Sequence, residues 1–125
     1  MLISQREVRG VTIVDLEGRL VLEDGVTTFV DRLNSLIHFG HKRILVNFDR
    51  VTYLDSAGVG AIAWKFVTAH KRNADVRLLH LRPRSHTVLN TTRLLTVIRH
   101  FESEDEAIAS FDHDQDDDET NPIFS

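Results

Sequence analysis

The chain has 125 residues, 42% hydrophobic and 27% charged, which suits one water-soluble domain able to bury roughly two-thirds of its unfolded surface. It has no cysteine, which excludes disulfide frameworks and thiolate chemistry, and no apolar stretch near the roughly 20 residues of a membrane helix. The formal charge is −4, but six of the nineteen acids lie between Asp112 and Glu119; the other thirteen face fifteen bases, a body of about +2 without the basic stripe of a nucleic-acid binder.

The opening Met-Leu-Ile-Ser-Gln-Arg-Glu carries charge where a secretory signal needs its apolar segment, so a cytoplasmic protein without membrane association is expected. Segments 2–8 and 11–17, separated by Arg9-Gly10, read as a β-hairpin. From Gly25 onward Val26, Phe29, Val30, Leu33, Leu36 and Ile37 recur at helical spacing, and Gly40 ends the helix. Ile44 to Phe48 is a β-branched run suited to a central strand covered on both faces. After a short loop, Val59, Ile62, Ala63, Phe66 and Val67 form a second helical stripe that closes on His70-Lys71-Arg72-Asn73, cations that suit a helix C-terminus. Val76 to Leu81 gives another strand, Ser85 caps a helix carrying Val88 and Leu89, Thr96 to Ile98 is a last short strand, and Glu104 to Phe111 a closing helix. Strands separated by helices of this length pair in parallel through right-handed crossovers. The predicted fold is therefore a single α/β domain over residues 1–111, with a mixed, mostly parallel sheet of four to five strands, an opening hairpin and about four helices. Residues 112–125 read as a flexible acidic tail. The tetrads Gly-His-Lys-Arg at 40–43 and Ala-His-Lys-Arg at 69–72 each end a helix before a strand and are read as dipole chemistry.

Ligands of open α/β sheets gather at the carboxyl ends of strands, which directs attention to Asp49-Arg50-Val51-Thr52-Tyr53-Leu54-Asp55-Ser56-Ala57-Gly58-Val59-Gly60. Ser56 stands where a helix N-cap belongs, and a capping serine replaced by alanine costs on the order of 1 kcal/mol. Gly58-Val59-Gly60-Ala61-Ile62-Ala63 fits G-x-G-x-x-A, but the next strand ends in His80-Leu81-Arg82 without the acid that holds a ribose. Serine hydrolysis lacks its G-x-S-x-G elbow, although His80 or His86 lies within conceivable reach of Ser56. Trp64 falls off the apolar stripe of its helix, either as an exposed interface anchor or packed under a loop. Arg82 and Arg84 share the sheet edge of Ser56 and suit an acidic partner or a phosphate as well as ordinary solvation. His38 and His41 lack the glutamate of H-E-x-x-H, the acidic tail lacks the spacing of a calcium loop, and neither a metal nor a cofactor is expected.

The segment Tyr53-Leu54-Asp55-Ser56-Ala57-Gly58-Val59-Gly60 closely resembles the D-S-[S/T/A]-G-[hydrophobic]-G signature of STAS domains, the anti-sigma-factor antagonists of bacteria. Glu17-Gly18-Arg19-Leu20, Ile44-Leu45-Val46-Asn47-Phe48 and Leu94-Leu95-Thr96-Val97-Ile98 extend the resemblance over residues 2–111. It implies a protein that is not an enzyme: unphosphorylated, it binds an anti-sigma factor, itself a serine kinase, and so frees the sigma factor. Phosphorylation of the serine that maps onto Ser56 switches it off, and a phosphatase restores it. The implied contact surface is Asp55, Ser56, Ala57, Gly58 and Val59, and Trp64 joins it if its ring is the exposed anchor that its place off the apolar stripe allows. Gly58 would let the partner approach the backbone, and Glu23 and Asp24 would replace the aspartate that many members carry earlier, where this chain has Val21 and Leu22. A phosphate adds about −1.5 to −2 charge, tolerated within the chain at a helix N-terminus but placed directly beside Asp55 at an interface. Some STAS domains instead serve as adaptor or structural subunits of transporters and signalling assemblies, in which Ser56 would be a cap. A monomer or weak dimer is expected.

Overall fold

The computed structural model describes residues 1–113. The chain runs β1 (Leu2–Val8), β2 (Val11–Leu20), α1 (Val26–His38), β3 (Arg43–Leu54), α2 (Ser56–Lys71), β4 (Asp75–Leu79), α3 (Pro83–Thr91), one 3-10 turn (Leu94–Thr96), β5 (His100–Phe101) and α4 (Glu104–His113). The five strands form one sheet in the order β1-β2-β3-β4-β5, antiparallel between β1 and β2 and parallel elsewhere. Arg9 and Gly10 close the hairpin with φ of 50° and 78°, the positive values that a two-residue turn between right-twisted strands requires.

Alternation along β2 and β3 sorts the core into two layers. Val14, Leu16, Ile44, Val46 and Phe48 face Phe29 and Leu33 of α1, Ala61 and Ile62 of α2, and Leu89 of α3. Val11, Ile13, Leu45 and Leu79 face Ala107, Ile108 and Phe111 of α4. Three helices thus cover one face and α4 the other, which explains why β3 is apolar in both registers. Beneath α4 the buried guanidinium of Arg77 donates to Ser110 Oγ at 2.6 Å and lies 4.3 Å from the Phe111 ring centroid. The outer hairpin is fastened to the same helix by Arg6, whose Nη2 donates to Glu104 Oε1 at 2.6 Å and whose Nε donates to Asp15 Oδ2 at 2.8 Å.

Several element bounds differ from the sequence reading, each for a physical reason. β3 continues through Asp49-Arg50 to Leu54 because β2 also continues, through Leu20, and its backbone pairs Gly18 with Val51 and Leu20 with Leu54. The charged pair resembles a loop only when that partner strand is not known. The apolar run Leu94 to Ile98 is a 3-10 turn and following loop that packs on the core, and the last strand is instead His100–Phe101; burial of side chains, not strand pairing, is what those residues satisfy. α3 begins at Pro83, with Arg82 at the N-cap position and Ser85 buried inside the helix. Pro83 has no amide to leave unpaired there, so it starts the helix without a capping serine. β4 ends at Leu79, where His80 turns away with φ 55°. α4 continues two residues past Phe111, and Arg43 Nη1 donates to Asp112 Oδ1 at 3.1 Å. The rest of the acidic tail, residues 114–125, lies outside the described residues.

Gly58 seats α2 on the sheet. A Cβ at that position would stand 2.3 Å from the Leu20 carbonyl oxygen and 2.7 Å from Leu54 Cδ1, closer than packed atoms tolerate. Gly58→Ala should therefore lower the unfolding free energy by about 1–3 kcal/mol through overpacking, read as a lower urea midpoint. An unchanged midpoint would show that the contact relaxes freely.

Candidate functional site

The carboxyl ends of β2 and β3 and the first turn of α2 meet at Asp55. Its extended backbone makes it the N-cap of α2, and its Oδ1 accepts from the Gly58 amide at 2.9 Å. Its other oxygen, Oδ2, accepts from the Leu22 amide at 3.0 Å, in the loop between β2 and α1. One carboxylate thus satisfies an otherwise unpaired amide of α2 and fastens a neighbouring loop. The hydrogen bond from Leu22 and then that from Gly58 hold the Asp55 carboxyl below the usual carboxylate range.

This placement corrects the sequence reading of Ser56 as the cap. Ser56 is the first residue of α2 itself and is exposed, while Asp55 makes the capping bond. Gly58 is corrected too: it is buried against Leu20, so its missing side chain serves packing within the chain and not the approach of a partner. Ala57 and Val59 are half-buried in the same turn. Glu23 and Asp24 are exposed in the Asp55-bound loop, which Val21 and Asp24 close by exchanging backbone hydrogen bonds of 2.9 and 3.1 Å. Asp24 Oδ1 also accepts from the Met1 backbone nitrogen at 2.9 Å. Trp64 lies two turns along α2 from Ser56 and is 59% exposed, with Lys65 Nζ 3.8 Å from its ring centroid, which decides against a tryptophan packed under a loop. Lys65 is itself buried and donates to Asn34 Oδ1 of α1 at 2.6 Å; burial pushes its ammonium down from the ordinary value.

Residues not singled out from the sequence complete this surface. Leu22, beside Asp55, is 69% exposed, and Val67 of α2 is 38% exposed although its spacing placed it on the core stripe. Ser56, Gly60, Trp64 and Val67 stand at offsets 0, 4, 8 and 11, a second helical stripe that faces outward. That spacing was present in the sequence; Leu22 carried no periodic signal. At the end of β3, the guanidinium carbons of Arg19 and Arg84 lie 5.9 and 5.7 Å from the Tyr53 ring centroid. Arg82 Nη1 donates to the Asp49 carbonyl at 3.1 Å.

The alternative chemistries find little support in this geometry. The Gly58 amide that a pyrophosphate would need is already held by Asp55. His86 packs against His100 at 5.4 Å, and among the described residues no histidine bonds the Ser56 hydroxyl. His41 Nδ1 is 2.7 Å from Thr12 Oγ1, and no group of three His, Asp or Glu among the described residues is placed to hold a metal ion. No helix among them is long and apolar enough to cross a membrane.

The STAS domain family model matches residues 3–107. The chain belongs to the STAS domain family. Among solved structures, a candidate anti-sigma factor antagonist from Thermotoga maritima superposes with TM-score 0.80 at 18% identity, covering 86% of this chain and 92% of that one. The Bacillus protein SpoIIAA in its phosphorylated form gives TM-score 0.68 at 22% identity, covering 88% of this chain and 99% of that one. A sulfate transporter family protein from Wolinella succinogenes gives 0.67 at 21%, covering 82% and 85%. At these identities the likeness is one of fold. No curated protein matches the sequence.

Asp55→Ala removes both carboxylate bonds and should cost about 1–2 kcal/mol of stability at neutral pH. Because the folded carboxyl is held low, its contribution is full above the unfolded value near 3.8 and fades as pH falls through the lower folded value. Urea titrations of the two proteins should therefore converge in strong acid. A gap that is constant with pH would contradict the assignment.

Proposed function

We propose that this STAS domain is an anti-sigma-factor antagonist of a bacterial cytoplasm, switched by phosphorylation of Ser56. The observation that carries the reading is the combination at the start of α2: an exposed hydroxyl on the first helical residue, beside a carboxylate already engaged, within an apolar surface of Leu22, Trp64 and Val67. The similarity to SpoIIAA, solved in both unphosphorylated and phosphorylated forms, supports it. The unphosphorylated surface docks on an anti-sigma factor that is itself a serine kinase. Leu22 and Trp64 bury apolar area on the partner, while Asp55 with Glu23 and Asp24 sets the charge that the partner must match.

The switch follows from electrostatics. A phosphoryl group on Ser56 brings about −1.5 to −2 charge next to the Asp55 carboxylate, which already occupies the Gly58 amide at the helix end. The fold tolerates the phosphate because it projects into water. The partner does not, because docking would strip that water from two adjacent anions. Removal of the phosphate by a phosphatase returns the binding form. The chain is substrate and ligand in this scheme and performs no chemistry. A constitutive adaptor role, as for STAS domains of transporters, would leave Ser56 unmodified and binding indifferent to ATP.

Binding titrations with the cognate anti-sigma kinase separate the two. Ser56→Ala should bind as wild type without ATP and stay bound when ATP is added; since Asp55 makes the cap, it should alter stability by less than about 0.5 kcal/mol. Ser56→Asp should weaken binding at least about tenfold. If Ser56→Ala is released by ATP as fully as wild type, the switch lies elsewhere. Trp64→Ala should also weaken binding at least about tenfold, the scale of an aromatic hot spot, while leaving stability within about 1 kcal/mol. Unchanged affinity would remove Trp64 from the interface.

A further inference from the structure

The two His-Lys-Arg tetrads are not used by the surface around Ser56. In the fold they come together at the opposite end of the molecule, because α1 and α2 both run back to the amino ends of the parallel strands. Lys42 Nζ donates to the Arg72 carbonyl at 2.6 Å, and the Asp75 amide donates to the Lys42 carbonyl at 2.8 Å. Between the last turns of α1 and α2 opens a groove of about 430 Å³ lined by Asn34, Ile37, His38, Thr68, Lys71 and Arg72. Lys42, Lys71 and Arg72 are exposed and pair with no carboxylate among the described residues. Each helix end offers only about half a negative charge, so roughly two of these three positive charges are left over.

The first residue of the acidic run, Asp112, stands at this same pole. Asp112, in the last turn of α4, accepts from Arg43, the residue next to Lys42 in the chain. Directly after it, residues 114–119 carry five acids and no base. At about 3.3–3.6 Å per extended residue, the seven residues from 113 to 119 reach roughly 20–25 Å. This is the length available for crossing from the face of the sheet that α4 covers to the face that α1 and α2 cover.

We propose that the acidic segment 114–119 docks on this chain's own basic groove, across Lys42, Lys71 and Arg72. The interaction is long-range and multiply charged, so it depends on salt. It places five negative charges at the pole remote from Ser56, which leaves the apolar surface of Leu22 and Trp64 clear of them. The inference does not depend on the switch at Ser56.

The absence of native cysteine makes the test direct. A nitroxide spin label on Thr120→Cys in the otherwise intact, nitrogen-15-labelled chain should reduce the amide signals of His38, Lys71 and Arg72 at least about twofold at low salt. The signals should recover at about 1 M salt, where the Debye length contracts to about 3 Å. They should also recover in a Lys71→Glu, Arg72→Glu double variant, whose exposed substitutions leave the core untouched. Signal loss confined to the end of α4, signal loss on the Ser56 surface, or indifference to salt would each overturn the proposal. So would loss that arises only when the spin label and the nitrogen-15 are on separate copies, since the segment would then be docking on a neighbour.

Discussion

The carboxylate of Asp55 is the constraint on which the site depends. Its two oxygens accept from amides of different elements, Gly58 in α2 and Leu22 in the β2–α1 loop. The start of the helix and the loop beside it are therefore fixed with respect to each other. Gly58 lets this happen at close range, because any side chain there would collide with the Leu20 carbonyl. Ser56 then has no cap to make, and among the described residues its hydroxyl has no hydrogen-bond partner. Its exposure is a consequence of the residue before it having taken the structural role.

That division of labour gives the serine freedom to carry a switch. A residue that both capped the helix and accepted a phosphate would tie the regulatory state to folding stability. Here the cap is a charged group that stays in place, and added charge at Ser56 changes the surface and not the core. The same carboxylate raises the electrostatic cost of hiding a phosphate at an interface. The apolar stripe of Gly60, Trp64 and Val67 continues the surface along α2, and Lys65, buried and bonded to Asn34, holds its ammonium against the Trp64 ring from below.

Much of this was legible in the sequence because it rests on periodicity. The stripes of α1 and α4, the hairpin, and the two-sided burial of Ile44 to Phe48 are consequences of spacing alone, whereas α2 buries Gly58, Ala61, Ile62, Lys65 and Ala69, a face rotated from the stripe that its apolar spacing suggests. The signature Asp55-Ser56-Ala57-Gly58 also directed attention to the turn where β2, β3 and α2 meet. What escaped depends on contacts between distant segments. β3 extends to Leu54 because β2 extends to Leu20, and neither extension is visible without the other. The cap falls on Asp55 and not Ser56 because Asp55 also finds the Leu22 amide, thirty-three positions away. Gly58 resembled an open approach to the backbone, yet the Leu20 carbonyl occupies that space. Leu94 to Ile98 has strand composition, but it turns inward to fill the core beside α3. Val67 fits the inner stripe by number, although at 38% exposure it lies at the rim where that stripe meets the outer one.

The fold thus carries two chemically distinct ends: an apolar, acid-flanked surface at the carboxyl ends of the strands and a basic groove at their amino ends. The central claim concerns the first, that Ser56 is a modified residue on a docking surface held by Asp55. The most direct measurement is peptide-resolved mass analysis of the intact chain, bound to its anti-sigma kinase, before and after ATP. The account predicts a single phosphate on the peptide containing Ser56, appearing at the rate at which the complex dissociates. Dissociation with no phosphate on that peptide, or full phosphorylation of Ser56 with the complex intact, would contradict it.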